Sequence, residues 1–398
     1  MKKWLISIGV ILFLGFTAVF VWAAWYVIGI PETPTEYKAA KVIYVSADNE
    51  ESYVSENSAD YLMSELGAGI NIGNSLDVCD WSNKFYMAAN AETYENLWGN
   101  PNITPEMLHA IKTSGFSTVR IPVTWMNHID KDGNVDPAWL KRVGTVVDQA
   151  LSEDLYVIVD IHHDTGNDGW IRASDTNYAD NEERVTNMIS QIASYFKDYD
   201  KKLILEGFNE MVDEKSRWAK IPGYSFRAFN RWNQLFVDTV RASGGENKDR
   251  YLLVNLYSAT PNDRNISHFR LPKDTVDGRL LVGVHIYSEL KKLDDAFRQV
   301  AEIQKNGYPV VIGEYGQTAH AKNRLGYAQK FREKCLNQKI AYIWWDNGGS
   351  AATADGVKEY ALMHRADSTW YFPDIVHAIT GVDEKQTKGI LRDSVSSN

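Results

Sequence analysis

Cysteine is nearly missing from this 398-residue chain, with only Cys79 and Cys335 present. That excludes a disulfide scaffold, and two thiols do not make the ligand set of a structural zinc site. A basic excess is also missing: 42 Lys and Arg stand against 52 Asp and Glu, a net charge of -10. Neutralising a phosphate backbone needs clustered cations, so nucleic acid is not expected as a partner. There is no internal repeat, and 27 Gly with 11 Pro are too few for a collagen-like or low-complexity chain. With 44% apolar and 24% charged residues, the chain has material for a large buried core.

What is abundant is aromatic: 13 Trp and 21 Tyr. Flat apolar rings with a polar edge suit the faces of sugars, although any single ring is more often core. At the amino terminus, Lys2 and Lys3 precede an uncharged apolar stretch, Trp4 to Ile30, long enough to cross a bilayer core of about 30 Å as a helix. Residues 1–30 therefore read as a signal peptide or membrane anchor. Trp22, two residues before Ala24, spoils a small-x-small cleavage site, so an uncleaved anchor is expected. The remainder would then face outward, making the enzyme extracellular, secreted or anchored to the outer face of the cell membrane. Residues 31–58 mix Pro, Thr, Ser and acidic residues and read as a linker. Residues 59–380 form one catalytic domain, and 381–398 a short tail. A monomer is expected.

Eight short β-rich runs alternate with stretches long enough to hold a helix: 68–72, 117–122, 155–161, 203–208, 251–256, 280–284, 309–312 and 340–344. Eight β-α units predict a closed (β/α)8 barrel, an α/β fold whose active-site groups project from the carboxyl ends of the strands. A barrel of that order puts Cys79 and Cys335 toward opposite ends, so no disulfide is expected between them. Polar and aromatic residues do gather at the strand ends: Asn71, Asn74, Arg120, His162, His163, Asn209, Glu210, His285, Tyr287, Glu314 and Trp345. Singly, each has a bland reading as a buried salt bridge, a satisfied histidine or a strand cap. Jointly they share one face.

Two carboxylates across that face are what retaining glycoside hydrolysis needs, one to attack the anomeric carbon and one to protonate the departing oxygen. Asn209 beside Glu210 can donate to a sugar 2-hydroxyl, which favours Glu210 as the acid/base. Glu314 follows PVVIG, where Gly313 is expected to permit close approach of substrate, and Arg120 and Tyr287 are donors that keep it ionised as the nucleophile. Glu206 and Asp160 lie deeper in their strands and read as structural, while Asp164 is expected near substrate. Trp81, Trp170, Trp218 and Tyr257 fall in loops where rings could stack on sugars, whereas Trp125, Trp139 and Trp232 read as core.

These segments resemble the glycoside hydrolase family 5 endoglucanases. The matching runs are GINIGNSLD at 69–77, STVRIPVTW at 117–125, YVIVDIHHD at 156–164, LILEGFNEM at 203–211, VGVHIYS at 282–288, VVIGEYG at 310–316 and YIWWDNG at 342–348. The resemblance implies a cofactor-free endo-β-1,4-glucanase. It carries over Arg120 and His162 near the nucleophile, Asn209 with acid/base Glu210, His285 and Tyr287 beside Glu314, and Trp345 as a sugar platform. Paired His162 and His163 with WWDNG resemble the branch acting on cellulose-type glucan, mixed-linkage β-glucan and xyloglucan more than the mannanases, which stay as the alternative along with glucomannanases. The loop 212–224 is longer and more charged than the family pattern, which bears on subsites. Two rival readings remain: a metal-dependent barrel hydrolase using His162, His163, Asp164 and His285, and a non-catalytic surface carbohydrate-binding protein.

Overall fold

The computed structural model describes residues 59–86, 90–348 and 359–382. The apolar run 4–30, the linker and the tail beyond residue 382 lie outside them. Eight strands form a closed parallel barrel in sequence order: β1 (Ala68–Asn71), β2 (Thr118–Ile121), β3 (Tyr156–Ile161), β4 (Leu203–Phe208), β5 (Leu252–Asn255), β6 (Leu280–Ile286), β7 (Val310–Tyr315) and β8 (Ala341–Trp344). All eight fall on the predicted runs. The α-helices of six or more residues are α1 (Ala59–Leu66), α2 (Pro105–Thr113), α3 (Pro137–Ser152), α4 (Asp175–Phe196), α5 (Gly223–Ala242), α6 (Asp263–His268), α7 (Leu293–Lys305), α8 (Arg324–Gln338) and α9 (Pro373–Thr380). A small antiparallel pair, β9 (Met363–His364) with β10 (Thr369–Trp370), precedes α9.

Helix starts follow ordinary capping chemistry. Thr104 and Asp136 accept backbone N–H bonds ahead of a proline in the first turn of α2 and α3, and Ser174 accepts one at the start of α4, which has no such proline. Strand residues alternate between the barrel interior and the helix layer. On the outward side Val157, Val159, Leu203 and Leu205 pack with Val147, Ile189 and Phe236 of the helices. On the inward side Ile158, Ile204, Leu253, Leu281, Val311 and Ile343 form a separate apolar layer, joined by Leu62, Met63 and Leu66 of α1. The barrel is thus plugged with hydrocarbon at the amino end of its strands. One layer up, the interior turns polar: Asn71, Arg120, Asp160, Glu206 and Asn255 are all buried.

Irregular register at two places aims the top of the barrel. On β4, Glu206 and Gly207 together oppose Asp160, because the pairing steps from Val159–Leu205 to Ile161–Phe208. On β7, Gly313 is the extra residue between the Ile312–Val284 and Glu314–His285 pairs. A bulge of this kind bends a strand and re-aims the side chains that follow. Gly313 stands immediately before Glu314, and Gly207 stands three residues before Glu210. β6 and β7 also run further than predicted, so His285 and Glu314 lie within their strands. Cys79 and Cys335 are both buried and free.

Candidate active site

Arg120 organises the site from inside the barrel. Its guanidinium is fully buried and donates to Glu206 Oε2 from Nε (2.7 Å) and to Glu206 Oε1 from Nη2 (2.8 Å). The same fork donates to Asp160 Oδ2 (2.7 Å), Asn209 Oδ1 (2.8 Å), Asn71 Oδ1 (3.0 Å) and Glu314 Oε1 (2.8 Å). Burial alone would lower its pKa, but Glu206 and Asp160 hold it well above the ordinary value. Glu206 and Asp160 are therefore structural counter-charges, as their depth in the strands predicts.

Around this fork the other residues take fixed places. Asn71 Nδ2 donates to the carbonyls of Gly313 (2.9 Å) and Trp344 (3.2 Å), tying β1 to β7 and β8. Because Arg120 occupies Asn209 Oδ1, the amide N–H2 of Asn209 is the end left for a ligand. Tyr287 donates its hydroxyl to Glu314 Oε2 (2.8 Å). Its ring is 40% exposed, but the hydroxyl end is enclosed, and burial with the Glu314 charge holds the phenol proton firmly on. Glu314 thus receives a donor on each oxygen.

His285 joins the two glutamates. Its Nδ1 lies 2.9 Å from Glu210 Oε1 and 3.5 Å from Glu314 Oε2, while Nε2 is buried without a hydrogen-bond partner. The ring proton therefore sits on Nδ1 and donates to Glu210. Burial pushes the Glu210 carboxyl up, but this donation and the charges of His162 and Arg120 outweigh it and leave it below the usual carboxylate range. One ring nitrogen of His285 and one oxygen from each glutamate fall within 4.8 Å of one another. That approach of the nearest oxygens fits the retaining geometry, with carboxyls about 5–5.5 Å apart.

Gly313 has a different role from the expected one. A Cβ there would stand 3.2 Å from His285 Nε2 and 3.8 Å from Arg120 Nε. The glycine gives room to the histidine that links the two glutamates and to the bulge, rather than to substrate.

The floor and rim are aromatic. The rings of Trp345 and His162 are 5.7 Å apart and parallel to within 3°. His162 Nδ1 is 2.7 Å from Asp160 Oδ2, and although burial works the other way, Asp160 raises its pKa to about 9. Burial and the adjacent His162 keep His163 neutral, its pKa pushed down to about 3. Around a cleft of about 490 Å³ stand Trp81, His162, His163, Glu210, Trp218 and Trp345, with Tyr287, Glu314 and Tyr360. Trp81 and Trp218 are 41% and 40% exposed, as stacking platforms would be.

Several expectations fail here. Trp170 and Tyr257 are buried: Trp170 donates to Asp164 Oδ1 (2.7 Å), and the Tyr257 hydroxyl donates to the Arg217 carbonyl (3.0 Å). Both rings hold loops together and offer no face to a sugar. Asp164 does not reach substrate either, since it is buried and accepts from Trp125 N (2.7 Å) and Trp170 Nε1. That also breaks the four-residue metal set, because His285 belongs with the glutamates and Asp164 faces away. Asn74 is a turn residue with φ +55°, its carbonyl accepting from Asn100 Nδ2 (2.8 Å). The long loop 212–224 folds on Asp213, which accepts from Arg217 and Ser225, and Trp218 donates to Asn167 (2.8 Å). Trp125, Trp139 and Trp232 are core, as expected.

Sequence reasoning also missed residues. Tyr360 lines the cleft and packs on Tyr287 at 5.4 Å, and no signal in the sequence marked it. Arg365 donates to the Gly73 carbonyl (2.7 Å), Ser75 Oγ (2.8 Å), and the carbonyl and Oδ1 of Asp346 (2.8 Å each). It clips the loop after β8 to the loop after β1, directly under the Trp345 indole. A Cβ on Gly73 would meet that indole at 2.6 Å. The Asp346 half of this clip stood in the WWDNG run, but an arginine nineteen residues on carried no pattern.

Fold and site together define a barrel glycosidase with two paired glutamates at the carboxyl ends of β4 and β7. Residues 77–351 match the cellulase family model, glycosyl hydrolase family 5, and the chain belongs to that family. It is 34% identical over 354 residues to Cellulase/esterase CelE of Acetivibrio thermocellus, covering 81% of this chain and 40% of that longer protein. It is 30% identical to Endoglucanase B of Clostridium cellulovorans, covering 87% of this chain and 81% of the relative. Among solved structures it resembles a mutant of PbGH5A, a family 5 enzyme from Prevotella bryantii B14, in complex with the xyloglucan tetradecasaccharide XXXGXXXG. The TM-score is 0.74 and the identity 31%, over 82% of this chain and 99% of that one.

Proposed function

We propose that the chain is a retaining endo-β-1,4-glucanase that cuts internal bonds of cellulose-type, mixed-linkage or xyloglucan polymers by double displacement. The observation that carries this reading is His285 Nδ1 within reach of both Glu210 and Glu314. Glu314, held by Arg120 and Tyr287, attacks the anomeric carbon while Glu210 gives a proton to the departing glycosidic oxygen. The aglycone leaves, and a β-linked sugar becomes an α-linked ester on Glu314. Glu210, now a carboxylate favoured by His285, takes a proton from water, whose oxygen displaces Glu314 and restores the β configuration. Asn209, through its free amide, donates to the sugar 2-hydroxyl, and Trp345 supports the ring beside the cleaved bond.

The xyloglucan bound to the Prevotella relative supports a branched glucan as one substrate. The chain is read as working outside the cell, held by the apolar run 4–30, where polymers too large for import are met. Treating the enzyme with a 2-deoxy-2-fluoro-β-cellobioside bearing a dinitrophenolate leaving group tests the mechanism. The expected product is a covalent adduct on the peptide containing Glu314. Full turnover without an adduct, or an adduct on Glu210, would overturn the assignment.

A further inference from the structure

Beside the catalytic pair lies a second cluster, two cleft-lining histidines with an aspartate, Asp77, to which the glucanase chemistry gives no part. Asp77 is fully buried, and its Oδ1 accepts from Ser75 N (2.9 Å) while Oδ2 has no hydrogen-bond partner. An orphaned buried carboxylate oxygen is destabilising unless something cationic or a proton meets it. What faces it is His163, with Nε2 at 3.7 Å. His162 completes the group, and one ligand atom from each of the three lies within 4.8 Å of the others.

We propose that Asp77, His162 and His163 form a binding site for a divalent transition-metal ion of the zinc class, opening on the sugar cleft. The donor set is one carboxylate and two imidazoles, which suits such ions. A zinc ion sits about 2.0–2.1 Å from each such ligand, so a small closure of the 3.7 Å gap seats it between Asp77 Oδ2 and His163 Nε2. His162 is prepared in the way ligating histidines usually are: Nδ1 is tied to a carboxylate, Asp160, which fixes the ring and leaves Nε2 for the metal. Binding there displaces the Nε2 proton into solvent. Trp81 and Trp98 flank His163, each with ring centroids 5.6 Å away, and limit its rotation. Entry is open, because the His163 side chain is 28% exposed and both histidines line the cleft.

The catalytic cluster of Glu210, His285 and Glu314 is the other possible metal group among the described residues, but its ligand atoms are engaged. Both Glu314 oxygens already accept from Arg120 and Tyr287, and Glu210 accepts from His285. Asp77 Oδ2 is free by comparison.

His162 and His163 line the cleft together with Trp345, so zinc held by them blocks the cleft reversibly. This consequence rests on the glucanase reading, whereas the binding itself does not. The test is calorimetric titration of the full-length protein with zinc chloride alone, beside Asp77→Asn and His163→Gln. Asp77→Asn keeps the acceptor for Ser75 N and serves as the folded control, checked by its near-ultraviolet dichroism. The expected result is one ion per wild-type chain, bound at least tenfold more weakly by each variant, with hydrolysis of an aryl cellobioside inhibited by zinc and restored by a chelator in the wild type. Asp77→Asn then resists that inhibition. No zinc bound by the wild type would mean that a proton satisfies Asp77, and equal binding by Asp77→Asn would place the ion elsewhere. Either result overturns the site. Binding that follows these variants in a protein without any hydrolytic activity would leave the site standing and overturn only the glucanase reading.

Discussion

Arg120 donates to five side chains, among them Glu314 and, through Asn209, the segment that carries Glu210. One buried fork thereby fixes the nucleophile and the base of the acid/base loop in a single frame, which a lysine with a point charge could not do. His285 adds the electrostatic half. Its donation is what holds the Glu210 carboxyl below its usual range against burial. In His285→Ala the donor is gone and burial remains, so the Glu210 pKa rises. Since Glu210 must be protonated for the first step, the alkaline limb of kcat/KM moves to higher pH, and a pH–rate profile checks it. The optimum rate falls by roughly ten- to a hundredfold, the worth of one hydrogen bond to a charged group. A limb that stays in place would separate Glu210 from the role of acid.

At the scale of elements, the barrel strands were readable because each is a short β-rich run bounded by polar turns, and because parallel strands must be apolar on both faces. Their polar ends were readable for the same reason: a charge at the end of a buried strand has few explanations. Ring direction was not readable. Trp170 and Tyr257 sit in loops just as Trp81 and Trp218 do, and only the presence of Asp164 or the Arg217 carbonyl as a buried partner turns them inward. The two bulges were equally hidden, since a bulge is a property of two strands and no single run shows it. The β9–β10 pair has strands of two residues, too short for any periodicity, yet it brings Arg365 to Asp346. Arg365→Lys keeps the charge and loses the fork, so the clip under Trp345 loosens. The expected outcome is a loss of about 2 kcal/mol in urea unfolding with a raised KM for cello-oligosaccharides. An unchanged KM would confine the pair to stability.

For the whole molecule, the amino end of the barrel is a hydrocarbon plug and the carboxyl end a charged layer, so stability and chemistry occupy opposite ends of one core. Acid sensitivity follows from a group outside both. His128 is buried, stacked on Trp139 at 3.7 Å, and neither ring nitrogen has a partner. Burial drives its pKa down to about 3. The unfolded chain then takes up a proton near pH 6.5 that the folded one refuses, so stability is full above that pH and declines as pH falls toward 3. Between pH 6.5 and pH 5 this group alone costs about 2 kcal/mol. His128→Phe should flatten that part of the stability profile in urea titrations at several pH values, and a profile parallel to wild type would exclude His128 as the source.

The central claim is that two glutamates share one histidine at the distance of a double displacement. The anomer released first reports on it most directly. Proton NMR recorded during the first minutes of hydrolysis of a cello-oligosaccharide, before mutarotation, should show the β anomer appearing first and the α anomer growing later. An α anomer formed first would mean a single inversion and would contradict the pairing of Glu210 with Glu314 as acid/base and nucleophile.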